Sequence, residues 1–259
     1  MPTIGAVLAM LLVRHNAPDG GYLGTMESAD GVFSAAGAGL AVLLAFVIFA
    51  VFDSYSNARS AAGEEAVASQ QMYSTAGFFP DQTSTLRGET VCYSRAVIHD
   101  EWPAMSDGHE SPVVQTWVDR LDTSIQQTKI AGNGQGAALE HWLSLSQDRQ
   151  EARRTRLGEA RPFVPGFVWF VLVLITIIVV AFQCLFADPT ATAFGQAVAM
   201  SAMTATLFSA LTLIWVLDRP FENRGAELHP TRMQASLSVM SRDARLPAML
   251  PCDALGNPS

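Results

Sequence analysis

Gly31–Phe52 reads GVFSAAGAGLAVLLAFVIFAVF and runs on without punctuation into Asp53–Gly77, DSYSNARSAAGEEAVASQQMYSTAG. The first half has 22 residues and no charge. A hydrocarbon core about 30 Å thick takes roughly 20 apolar residues as helix, so this half is long enough to cross a bilayer. The second half is polar, yet it holds no proline and a single internal glycine, Gly63. Nothing between Phe52 and Gly77 instructs a helix to stop at the membrane surface. The expectation is one rod over 31–77, roughly 70 Å long at 1.5 Å per residue, half in lipid and half in water. Asp30 stands where it could cap the rod.

Working outward, two further stretches are nearly free of charge: Pro165–Phe186 and Ala197–Leu217. Each is long enough to cross, and the ten residues between them make the pair a tight antiparallel hairpin. The N-terminal run Met1–Val13 is apolar but short, which suits a short first membrane helix or an interfacial piece. Composition agrees with a membrane protein carrying a sizeable polar part: 49% hydrophobic, 15% charged, mean hydropathy +0.23. A net charge of −8 with no basic surface argues against nucleic acid as a partner. Cys92, Cys184 and Cys252 are odd in number, widely separated and lack metal-ligand spacing, so they are expected as unpaired thiols in a reducing compartment.

Between the spans, Phe78-Phe79-Pro80 breaks the rod and an amphipathic stretch runs from Asp81 to Trp102-Pro103, which is expected to end that helix. Ser111-Pro112 is a cap followed by proline at the first helical position, opening Pro112–Ile130 with Val113, Trp117, Leu121 and Ile125 as one buried stripe. Gly132–Gly136 reads as a turn, and Ala137–Glu159 as a helix with a charged end. After Leu217 the tail is polar and broken by prolines, with one short helix at Thr231–Ser241 and loosely ordered last residues. The division is therefore 1–30 short N-terminal segment and linker, 31–77 long helix, 78–163 helical domain, 164–217 membrane hairpin and 218–259 tail.

Orientation follows from basic residues. Asp53–Pro162 holds ten of the 16 Lys and Arg, five of them in Arg149–Arg161, and the tail holds five more, while the hairpin loop has none. By the positive-inside rule the large block and the tail face the cytoplasm. With a spanning N-terminus the chain has four crossings and both termini inside.

Several motifs then fall in one family's order: Tyr55-Ser56-Asn57-Ala58-Arg59 after the first span, Glu65-Ala66, Tyr93-Ser94-Arg95-Ala96-Val97, Asp100-Glu101-Trp102-Pro103-Ala104-Met105, and Leu217-Asp218-Arg219-Pro220-Phe221. Together, over roughly residues 31–240, the chain resembles the bacterial bestrophin-like domain family, whose own function is largely unassigned. The N-terminus departs from it, being shorter than the family's usual first membrane helix. The resemblance implies kinship with bestrophins: an all-α membrane protein of about four transmembrane helices plus a cytoplasmic helical bundle, oligomeric, conducting ions, and lying in the bacterial inner membrane.

Candidate functional residues group by place. Val42, Phe46, Phe49 and Phe52 lie near the inner end of the first span, where a symmetric ring would make them a hydrophobic constriction; lipid contact or core packing is the plainer reading. Gly37, Ala41 and Ala45 form a small-residue seam, for packing within a subunit or between subunits. Ser201, Ser209 and Thr212, with Ala205, face one way on the last span, as a polar lining or as hydroxyls bonded to the carbonyl a turn back. Asp53, Arg59, Glu64 and Glu65 on the rod, and Asp218 and Arg219 after the last span, are membrane-exit charges. They either ring a vestibule that favours cations or pair rod with tail, as Glu64 or Asp53 with Arg219. Relatives that conduct anions point the other way on selectivity. His99, Asp100 and Glu101 are adjacent, so on a helix they cannot converge on one metal ion. No catalytic set, metal site or cofactor motif is present, and an enzyme is not expected. The two functional expectations are an oligomeric channel or pore, and a non-conducting membrane scaffold acting through its helical domain.

Overall fold

The computed structural model describes residues 2–18, 22 and 27–259, with side chains from residue 31 onward in the last stretch. Among the described residues the only regular elements are helices, and they divide into two compact units, Met1–Asp53 with Phe163–Asp218 and Ser54–Pro162 with Arg219–Ser259. The helix α2 (Glu27–Thr75, 49 residues) contributes to both. It starts four residues before Gly31, so Asp30 lies inside the helix rather than at its cap; its side chain is outside the described residues.

The first unit contains α1 (Pro2–Asn16), the first part of α2, α7 (Gly166–Leu185) and α8 (Ala193–Leu217). Three helices are long and apolar enough to cross a membrane, over Gly31–Phe78, Gly166–Leu185 and Ala193–Leu217. At 15 residues, α1 spans only about 22 Å. It nonetheless packs on both α7 and α8, with Ala6 and Met10 buried against Cys184, Ala187 and Met200. Arg14, near its end, donates to Gln196 Oε1 (2.7 Å) and to the carbonyls of Pro189 (3.0 Å) and Ala191 (2.7 Å) in the α7–α8 connection. Phe33, early in α2, meets Phe186 with ring centroids 5.4 Å apart. The end of α1, the start of α2 and the hairpin connection therefore share one end of this unit. Because α8 begins at Ala193, that connection is shorter than the sequence suggested.

The second unit holds the rest of α2, a 3₁₀ turn at Ala76–Phe78, α3 (Thr83–Ala96), α4 (Trp102–Ser106), α5 (Pro112–Gln126), α6 (Asn133–Gly158) and α9 (Thr231–Ser241). The expected cap of α5 is present: Ser111 Oγ accepts from the backbone N–H of Val113 and Val114, both at 3.1 Å. Trp117, Leu121 and Ile125 are buried as expected, joined by Val114 and Val118. Only Gly132, at φ 95°, makes the turn before α6; Gly134 and Gly136 are already helical. Trp102-Pro103 does not end a helix. A π-helical turn, Val97–Glu101, carries α3 directly into α4, and such a turn leaves carbonyls without helical partners where Pro103 lacks an N–H.

Two expectations about the chain's end are corrected. Cys92 and Cys252 form a disulfide across 160 residues, and Cys184 alone is free. The last residues are not loose either. Leu250 packs on the core, Trp117 Nε1 donates to the Gly256 carbonyl (2.7 Å), and Arg95 Nη1 donates to the Asp253 carbonyl (2.9 Å). The Asp253 carboxylate accepts from the N–H groups of Leu255 and Asn257, and Cys252 bridges Pro258, which closes a turn. Gly256, at φ 93°, presses on the backbone of Ala96, where any Cβ would stand 2.3 Å from its nitrogen. The composition that suggested disorder is that of a tight turn stapled to α3.

Candidate functional site

The rod changes character along its length. At about 100° per residue, Leu40, Leu44 and Val51 occupy one side of α2 and are buried. Val42, Phe46 and Phe49 lie opposite, with Phe52 beside them, and are exposed by 60, 72, 71 and 58%. Four large apolar side chains in a row, left mostly uncovered among the described residues, form an open stripe. The seam is open as well. Ala41 and Ala45 are exposed, and a Cβ on Gly37 would meet nothing within 4 Å. The reading of Gly37, Ala41 and Ala45 as packing within one subunit is therefore replaced: Leu40, Leu44 and Val51 are the buried face.

On α8, Ser201 is half-buried and Ser209 and Thr212 are exposed. Thr212 Oγ1 donates to the Phe208 carbonyl one turn back, at 2.7 Å. Asp218 accepts from the Val164 N–H at 2.7 Å, tying the end of α8 to the segment before α7.

In the second unit the rod is held by charge. Glu65 is fully buried. Its Oε2 accepts from Arg156 Nε (2.6 Å) and its Oε1 from Arg156 Nη2 (3.0 Å), a fork-to-fork pair between α2 and α6. Tyr93 Oη of α3 donates to the same Oε1 at 2.6 Å. Arg156 Nη2 also reaches Glu101 Oε2 (2.6 Å), and Arg153 binds Glu101 through Nη2 (2.6 Å) and Nε (3.0 Å). The guanidinium of Arg156 lies 5.3 Å from the centre of the Trp102 ring, and that of Arg149 4.6 Å from the Tyr93 ring. Two carboxylates, two guanidiniums and a phenol thus close a buried network in which α2, α3, the π-turn and α6 meet.

The electrostatics follow. Burial raises the Glu101 carboxyl, but Arg156 and Arg153 together outweigh burial and hold it below its ordinary value. Burial, reinforced by the charge of Glu65, drives the Tyr93 phenol well above its ordinary value, so it stays a donor. Burial lowers Arg156, yet Glu65 and Glu101 more than reverse this and raise it. Arg149 differs: it too is fully buried, but Nε, Nη1 and Nη2 have no hydrogen-bond partner in the structure.

Glu65 is consequently no vestibule charge. Its neighbour Glu64, about 100° round the helix, is exposed and, with Arg59, lines a groove of about 1070 Å³ shared with Tyr55, Gln71, Glu151 and Arg232. Arg219 pairs with Glu222, which also holds Arg224, so the suggested Glu64–Arg219 pair is replaced by a local one. Asp53, at the end of the first unit's share of α2, is exposed. His99, Asp100 and Glu101 diverge as adjacency requires: His99 is exposed, Asp100 bonds the Ser111 hydroxyl, and Glu101 turns inward. Among the described residues no three His, Cys, Asp or Glu stand where they could hold a metal ion. The residues missed in the sequence are Arg153 and Arg156, and Glu101 was weighed there only as a metal ligand. The spacing of Arg149, Arg153 and Arg156, which puts all three on one face of α6, was the available signal; their charge had assigned them to the membrane surface.

With this geometry in hand, comparisons with known proteins are informative. The profile of the Bestrophin-like domain matches residues 2–224. The chain is similar to a mutant of a bacterial bestrophin homologue from Klebsiella pneumoniae, with TM-score 0.68 at 15% identity, covering 93% of this chain and 98% of that one. A second mutant of that homologue gives TM-score 0.69 at 14% identity over the same shares. Another solved membrane protein gives 0.67 at 15%, covering 95% and 98%. Identity this low carries the fold alone. No curated protein matches the chain.

Proposed function

This chain belongs to the Bestrophin-like domain family, and we propose that it is an oligomeric ion channel or pore of a bacterial inner membrane. The observation that carries the reading is the open stripe Val42, Phe46, Phe49 and Phe52, backed on the opposite side of α2 by a buried one. In a homo-oligomeric ring, copies of this stripe form an apolar constriction that gates by dewetting. The seam Gly37–Ala41–Ala45 supplies close contact between neighbouring subunits, and Ser201, Ser209 and Thr212 add polar surface on α8. The polar part of the rod, 78–163 and the tail 218–259 lie in the cytoplasm, where the basic residues place them. Arg14 supports α1 as a fourth, thin crossing, since it ties the end of α1 to the α7–α8 connection. The exposed charges Asp53, Arg59 and Glu64 lie along the exit, with selectivity set by their sum.

Counting subunits in purified protein by electron microscopy tests the assembly: a ring with Phe46 and Phe49 towards its axis is expected, and a monomer ends the reading. Reconstituted into vesicles, Phe46→Ala and Phe49→Ala raise ion flux over the parent chain. Absence of current in the parent and both variants, across pH, calcium and voltage, leaves the second reading, a scaffold acting through the groove beside Arg59.

A further inference from the structure

The stapled C-terminus is unused by the pore reading. Residues 246–259 cover α3 and α5, and besides the disulfide they are held by the Trp117 and Arg95 hydrogen bonds, by Leu246 and Leu250 packed on the Tyr73–Val91–Met240 cluster, by Pro247 and Pro251 beside Gly88, and by the Gly256 turn against Ala96. Cys92 is completely buried beneath it, Cys252 is 8% exposed, and Cys92 is followed directly by Tyr93, whose hydroxyl holds Glu65. A disulfide on the cytoplasmic side of a membrane faces reducing thiols and is there a transient rather than a permanent bond.

We propose that Cys92 and Cys252 are a reversible redox-modification site, a latch that clamps residues 246–259 on α3 and α5 when oxidised and frees them when reduced. The reversible character rests on the cytoplasmic placement proposed above. Closure is thiol–disulfide exchange with a low-molecular-weight disulfide of the glutathione class. Cys252, the less buried thiol, loses its proton to solvent and attacks one sulfur of the reagent, releasing one thiolate. The Cys92 thiolate then attacks the mixed disulfide at Cys252 and releases the second. Two protein thiols and one external disulfide become one protein disulfide and two external thiols, so two electrons pass to the reagent. Opening is the same exchange in reverse.

The test uses the full-length protein in native membranes, equilibrated in glutathione buffers of varied ratio, acid-quenched and labelled with a maleimide of high mass. Reduced glutathione in excess is expected to expose both thiols, and oxidised glutathione to close them again. Hydrogen exchange at residues 246–259 speeds up by about tenfold or more in the open state. Cys252→Ser holds the segment open in either buffer. Gly256→Ala keeps both cysteines but removes the seat against Ala96, so closure requires more oxidised glutathione. A bond that survives excess reduced glutathione, or tail exchange identical in both states, overturns the latch. An epitope at the C-terminus that is protected from protease in sealed inside-out vesicles overturns the placement and leaves the glutathione titration standing.

Discussion

Phe46 and Glu65 belong to the same helix, yet the apolar one is 72% exposed and the charged one fully buried. Upstream of Asp53 the outer side of α2 is left bare. Downstream of Ser54 the helix is packed into a core that contains charges. Burial along this rod thus follows the partners on offer rather than polarity. An apolar side chain facing lipid or a second subunit needs no cover from its own chain. A fully buried pair of carboxylates such as Glu65 and Glu101 needs matched guanidinium donors, and they have them.

That contrast can be broken most forcefully at Arg156. Arg156→Met strips Glu65 of its guanidinium partner and Glu101 of one of its two, and is expected to reduce stability by about 3–5 kcal/mol, read from denaturant unfolding followed by tryptophan fluorescence. Arg149 sharpens the point because it is equally buried without a hydrogen-bond partner. Arg149→Leu should leave stability unchanged or raise it by about 1 kcal/mol; a loss comparable to that of Arg156→Met refutes the distinction. Acid probes the same network. A carboxylate depressed in the fold contributes stability above its unfolded value and loses it as pH falls through the folded one. Unfolding should therefore become easier as pH drops below the ordinary 4.5 of Glu101, and Glu101→Gln should flatten that limb of the pH profile. Ser111→Ala removes the α5 cap for about 1 kcal/mol, by the same fluorescence assay. At the other extreme, Phe46→Ala in detergent should shift stability by no more than about 0.5 kcal/mol, since the ring touches so little of its own chain, while flux in vesicles rises.

The contrast also explains what was legible. Spans depend on length and apolarity, which a sequence displays, so α7 and α8 and the rod came through with ends displaced by a few residues. Ser111 and Thr231–Ser241 were legible because caps and short amphipathic helices are local. Glu65, Arg153 and Arg156 were not, because charge ordinarily means surface and their charged partners lie 52 to 91 residues away. Their exceptional burial comes from pairing, a long-range property. The disulfide was hidden for the same reason, and composition misled at the tail, where Gly256 and Asp253 build a turn rather than a flexible end.

The π-turn at Val97–Glu101 has a bearing on which length changes this chain tolerates. It amounts to one residue more than an α-helix would use over the same path. Deleting a single residue between Val97 and Asp100 without rewinding the turn would swing Glu101 and all that follows by about 100° relative to α3. The carboxylate would then face away from Arg153 and Arg156 although every side chain of the network was still encoded. In this segment the count of residues is as strict a requirement as their identity, and an alignment gap inside 97–101 would be more damaging than most substitutions.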